Sequence, residues 1–176
     1  MTQYRRSLTP GSTYFFTVNL SNRRSKLLTS HVEVLRKAFA AVMAAHPFVI
    51  DAMVVMPDHL HAVWTMPPDD ADYALRWRLI KTRFSRAMPR TERRSVSRMA
   101  KGERGIWQRR YWEHEIRDAI DMQRHVDYIH INPVKHGYVA RAADWPHSSI
   151  HRFIERGDLP CDWACDCEEI TMGERA

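Results

Sequence analysis

The stretch FVIDAMVVMPDHLHAVWTM, residues 48 to 66, constrains this chain more than any other. Two apolar runs of strand length flank Pro57 and Asp58, a pair that favours a turn. The pattern predicts a β-hairpin with strands over 48–56 and 59–66. Within the second strand His59 and His61 share one face with Val63 and Thr65, because side chains alternate sides along a strand; Leu60, Ala62, Trp64 and Met66 take the other. Two imidazoles about 7 Å apart along a strand can turn their nitrogens onto one metal ion. With ten histidines in the chain such a pair also arises by chance, and two half-buried histidines at a strand end fit the spacing equally.

Around the hairpin, TYFFTVNL (13–20) reads as a first strand from its aromatic and β-branched content. A capping box at Ser30 and Glu33, followed by Val32, Leu35, Phe39 and Val42 at helical spacing, predicts a first helix closed by Pro47. Tyr73, Trp77, Ile80 and Phe84 mark the apolar face of a second helix, with Arg76, Lys81, Arg83 and Arg86 off it. Residues 89–105 read as a Gly-, Pro- and Arg-punctuated loop, and residues 106–116 as a fourth strand. Asp118 and Asp121 start a third helix whose Met122, Val126 and Ile129 run to Pro133. The order βαββαβα predicts an α+β fold of ferredoxin-like or RRM-like type: a four-stranded antiparallel sheet with helices on one face.

The chain of 176 residues has the length of one domain, and its net charge of +6 is concentrated. From Arg76 to Arg110 there are thirteen Lys and Arg against Glu92 and Glu103. Trp77, Phe84, Trp107, Tyr111 and Trp112 interleave with or adjoin these charges, a pattern suited to a phosphate backbone carrying stackable bases; a solvated helix face followed by a basic loop is the plainer alternative. Cys161, Cys165 and Cys167 are odd in number and suggest no disulfide framework. With no membrane-length apolar run and no secretory leader pattern, the expected location is the cytoplasm. No G-x-x-x-x-G-K-[ST] phosphate loop occurs, so nucleotide-driven chemistry is not expected.

A second constellation, RHVDYIHINPVKHG at 124–137, changes the weight of the two histidines. On the third helix Tyr128 and Asn132 stand at i and i+4, with His125 at i−3 on the same stripe. A phenol can attack a phosphodiester and stay attached as an ester, dividing strand transfer into two transesterifications without ATP. Its ordinary pKa near 10 calls for help from a divalent ion on the scissile phosphate. His59, His61 and the Asn132 oxygen make a mixed nitrogen and oxygen set suited to Mg²⁺ or Mn²⁺. A packed or capping aromatic is the alternative for Tyr128.

MPDHLHAVW, IWQRRYWEHEIRD, YIHINPVKHGYV and ADWPHSSIHRF stand in this order over roughly residues 10–155, and together they resemble the REP-associated tyrosine transposases, a branch of the single-tyrosine HUH transposases. The resemblance implies that His59 and His61 are the HUH metal ligands, that Asn132 takes the third ligand position, and that Tyr128 forms a 5′-phosphotyrosine link to single-stranded DNA. The implied partner is a repetitive extragenic palindrome (REP) hairpin with a short tetranucleotide at its foot, met at the nucleoid. The implied state is a monomer, or a homodimer with shared sites.

His114 and His125 are candidates for lining the site, with a structural histidine equally fitting for His114. Arg76, Lys81, Arg83, Arg86, Arg109, Arg110, Trp107 and Gln108 are candidates for DNA contact, core packing being the alternative for Trp107. His130 and His136 read as surface residues, and WPHSS (145–149) as a corner where Trp145 packs down and Ser148 or Ser149 caps a helix. Residues 1–155 are expected to form the catalytic domain, with 156–176 a tail whose Asp166, Glu168 and Glu169 complement the basic segment. C-x₃-C-x-C is not a standard zinc spacing. The competing functional reading is a non-catalytic, domesticated binder of single-stranded nucleic-acid hairpins, which has no need of His59, His61, Tyr128 and Asn132 together.

Overall fold

The computed structural model describes residues 7–164 except 91 and 93. The elements run β1 (Thr13–Asn19), α1 (Leu27–Ser30), α2 (Val32–Ala45), β2 (Val49–Val55), β3 (His59–Thr65), α3 (Tyr73–Ala87), α4 (Val96–Ala100), β4 (Trp112–Glu115), α5 (Ala119–Lys135) and α6 (Ile150–Glu155). All strand pairs are antiparallel, in the order β2-β3-β1-β4, so β1 and β3 are central. This is the expected four-stranded ferredoxin-like sheet.

The helices, however, cover both faces. Tyr14, Phe16 and Val18 of β1 with Leu60, Ala62 and Trp64 of β3 pack against α2 and α3 through Leu35, Phe39, Trp77, Ile80 and Phe84. On the other face Phe15, Ala52, Val54 and Val63 meet Val126, Tyr128 and Ile129 of α5. The physical reason is in β3, buried from His59 through Trp64: a central strand buried on both sides needs cover on both. The free edge of β2 is closed by residues 147–149, where the Val55 and Ser149 amides donate to His147 and Met53 carbonyls at 2.9 and 2.8 Å.

Residues 96–100 form a short helix inside the expected loop, the expected fourth strand is cut back to Trp112–Glu115, and local signals were overridden at two helix ends. Ser30 does not cap α2; it is the last residue of α1, and His31 separates the two helices without a side-chain cap. Pro133 does not end α5, because its missing N–H costs one bond in the last turn and the helix continues to Lys135. The helix stops at Gly137, whose φ of +70° suits glycine. Gly137 N–H donates to Val134 O at 2.8 Å and Tyr138 N–H to Pro133 O at 3.0 Å, a Schellman closure.

His130 is fully buried rather than at the surface, bonded to Ser149 Oγ at 3.0 Å and packed on Phe153. Burial lowers its pKa to about 4. Between that value and the ordinary 6.5 the unfolded chain binds the proton and the folded chain does not, so stability falls as pH drops through this window, by up to about 3 kcal/mol. Denaturant titrations at pH 7 and pH 4.5 should show a loss, and His130→Gln should reduce the slope by its own share, the other buried histidines keeping theirs.

Candidate active site

The Pro57–Asp58 turn delivers His59 as the first residue of β3, and the pleat puts His61 on the same face. Asp58 is buried, and its Oδ1 accepts from His59 Nδ1 at 2.8 Å, while its Oδ2 holds Arg23 Nε at 3.0 Å. His61 Nδ1 is bonded to Thr17 Oγ1 of β1 at 2.8 Å. With both Nδ1 atoms engaged, the Nε2 lone pairs are the ones left to meet an ion. Burial pushes both imidazoles below their ordinary pKa, His61 strongly, and the positive charge of Arg23 adds to the effect on each. Both rings are therefore neutral at pH 7, the form that ligates.

α5 begins where Asp118 accepts the Asp121 amide at 2.8 Å. Asp121, His125, Tyr128, Asn132 and His136 then form one stripe at spacings of three and four. The stripe lies over the histidine face of the sheet. The Tyr128 ring centroid is 5.0 Å from that of His61 and 5.9 Å from that of Phe15, and His136 is 5.3 Å from His59. Lys135 Nζ stands 5.3 Å from the Tyr128 ring. Asn132, one turn from both Tyr128 and His136, is 0% exposed, and neither Oδ1 nor Nδ2 has a hydrogen-bond partner. An orphaned buried carboxamide costs about 1–3 kcal/mol, so an unmet ligand is its simplest explanation. Two imidazole nitrogens and this oxygen fit a hard or borderline divalent ion.

One turn earlier on the stripe, Asp121 joins the two lining candidates. His114 Nε2 donates to Asp121 Oδ2 at 2.8 Å, and His125 Nδ1 lies 2.8 Å from the Asp121 carbonyl and 3.2 Å from Oδ1. Their ligand atoms lie within 4.8 Å of one another, close enough to hold a metal ion, although each is already hydrogen-bonded within the group.

The DNA-contact candidates divide. Arg76 is buried: its guanidinium donates to the His46, Pro47 and Asp72 carbonyls and pairs with Asp70 at 2.7 Å, tying α3 to the end of α2. It cannot reach a phosphate. Trp107 is 9% exposed, edge-on to Phe84, and bridged to Leu20 just after β1, so it serves the core and cannot stack on a base. Arg83, Arg86, Arg109 and Arg110 are exposed, Arg109 paired with Glu103 at 2.8 Å. Lys81 reaches the Gln108 carbonyl at 3.3 Å and lies over Trp107 and Tyr111. Lys81, Gln108, Arg86 and Arg109 line a groove between α3 and residues 101–111, on the sheet face opposite α5. Asp58, Thr17 and His136 were missed by sequence reasoning, though an acid directly before the first histidine was a signal for Asp58. Cys161 is exposed, and Cys165, Cys167 and the acidic tail residues lie outside the described residues.

The IS200-like transposase family model matches residues 11–132. Over 99% of the chain and 98% of the relative, the sequence is 48% identical to the REP-associated tyrosine transposase of Escherichia coli K12. The chain belongs to this family. A REP-associated tyrosine transposase of Haemophilus influenzae, so named provisionally, is 43% identical over 93% of each chain. Among solved structures, a REP-associated tyrosine transposase bound to a REP hairpin superposes with a TM-score of 0.82 at 48% identity, covering 100% of this chain and 99% of that one. As a member of this family the chain is a transposase, and a general metal dependence comes with the family. Among the described residues no helix of the transposase is long and apolar enough to cross a membrane.

Proposed function

We propose that this transposase cleaves and rejoins single-stranded DNA beside REP-type hairpins, with Tyr128 as nucleophile. The observation that carries the reading is the Tyr128 ring beside His61 with the orphaned Asn132 one turn away, all from one chain. Tyr128 Oη attacks the scissile phosphorus and loses its proton; the bond to the 3′ oxygen breaks, and that oxygen leaves as a 3′-hydroxyl. The 5′ end stays on the tyrosine as a phosphodiester, so its bond energy is kept for the return step, in which an incoming 3′-hydroxyl displaces Tyr128. His59, His61 and Asn132 would hold a Mg²⁺ or Mn²⁺ ion, which supplies charge neutralisation at the phosphate. Phe15 and Lys135 hold the Tyr128 ring against the sheet, and the Lys135 ammonium beside the ring favours the approach of a phosphate. Exposed Arg83, Arg86, Arg109 and Arg110, with Lys81 and Gln108 in the groove, support salt-dependent contact to the hairpin backbone. Work on such DNA would bring the protein to the nucleoid, with residues 1–155 supplying the catalysis.

Incubation with a labelled hairpin carrying an unpaired foot, in Mn²⁺, Mg²⁺ or EDTA, tests the reading on a denaturing gel. A protein–DNA band that forms only with metal is expected. Tight binding with no band in either metal would leave a binding module in its place. Asp58→Asn, which weakens the acceptor behind His59, should lower Mn²⁺ affinity by about 10–100-fold in a calorimetric titration without unfolding the chain.

A further inference from the structure

We infer that Trp112 is a stacking subsite for one unpaired nucleobase close to the scissile phosphate, an inference that rests on the reading above. Directly paired residues form a row across the sheet: Val54, His61, Thr17, Trp112. Thr17 is the residue bonded to the His61 ring, so Trp112 stands two strand spacings, about 10 Å, from a candidate metal ligand on the same face.

The indole is 51% exposed, at the start of an edge strand. A large exposed aromatic on a sheet edge invites unwanted association unless something covers it. It also packs against other rings on its inner side. Its plane lies 4° from that of His114 at 5.8 Å, His114 lies 19° from His125 at 4.8 Å, and Asp121 binds both imidazoles. Phe15 meets the indole edge-on at 5.5 Å and also touches His61 and Tyr128. Three parallel rings thus end in an open indole face, the next place in the stack.

Only a flat π-system that is not already stacked in a duplex can occupy that place, which selects a base in the unpaired foot over one in the stem. The surroundings favour nucleic acid over an apolar partner: Tyr111, the preceding residue, lines the basic groove on the other face, so the chain at 111–112 joins the groove to the histidine face at the β4 edge. Stacking of this kind tolerates any base, so Trp112 is expected to fix the position of the strand without reading its sequence.

The test measures hairpin affinity and adduct yield for wild type, Trp112→Ala and Trp112→Phe, each with oligonucleotides bearing an abasic site at successive foot positions. Trp112→Ala should weaken binding about 5–150-fold, and Trp112→Phe should keep most of the affinity. In wild type, one abasic position within two nucleotides of the cleaved bond should reproduce the loss, and in Trp112→Ala that same position should cost nothing further. Alanine binding within twofold of wild type, or losses that add in full, would overturn the subsite. Should the alanine variant fail to fold, the wild-type abasic scan and Trp112→Phe decide alone: no sensitive position there also overturns it. A wild-type protein that binds no intact hairpin would instead remove the functional reading on which the subsite rests.

Discussion

Tyr128→Phe is expected to bind a REP-type hairpin as wild type does and to form no covalent adduct, with cleavage reduced at least about 10⁴-fold. The substitution removes one oxygen and keeps the ring that packs 5.0 Å from His61, 5.9 Å from Phe15 and beneath Lys135. Thermal stability should change by no more than about the worth of one hydrogen bond, roughly 1 kcal/mol. The contrast between intact binding and absent chemistry assigns the oxygen to the reaction. Equal loss of both would mean that Tyr128 matters for shape, and unchanged cleavage would place the nucleophile elsewhere.

Asn132→Leu should move stability and activity in opposite directions. Asn132 is fully buried with both polar atoms unpartnered, so an apolar side chain of similar volume should stabilise the metal-free protein by about 1–3 kcal/mol. The same change removes the one oxygen of the candidate ligand set, and metal-dependent cleavage should fall more than about a hundredfold. A protein selected for stability alone would not keep this amide; one that must hold an ion would. Denaturant midpoints in EDTA and cleavage rates in Mn²⁺ measure the two effects. Destabilisation in EDTA would indicate that the amide has a structural role, and full activity would remove it from the ligand set.

Sequence reading went furthest where a short-range rule decides geometry. Strand alternation places His59 and His61 on one face, and helical spacing places Tyr128 and Asn132 on one stripe, whatever the rest of the chain does. It was weaker where a long side chain or a distant partner decides. The backbone of Arg76 sits off the apolar stripe of α3, yet its guanidinium folds back onto the carbonyls closing α2, a contact between residues thirty apart. Trp107 is drawn into the core by its bridge to Leu20, which no local pattern reveals. The placement of α5 on the second face follows from the double-sided burial of β3 and becomes visible only when the sheet order puts β3 at its centre. His136 reads as polar surface; it joins the site because the Schellman closure at Gly137 ends the helix just after the stripe passes over His59.

The central claim, that the phenol of Tyr128 carries the DNA strand, is tested most directly by locating the bond. The adduct formed with a short oligonucleotide foot in Mn²⁺ would be digested with nuclease and trypsin and mapped by mass spectrometry. Cleavage after Arg124 and Lys135 releases HVDYIHINPVK, whose only tyrosine is Tyr128. A nucleotide mass on that tyrosine is the predicted result. The same mass on the peptide bearing Tyr138 or Tyr111, or no modified peptide from protein that has cleaved its DNA, would contradict the account.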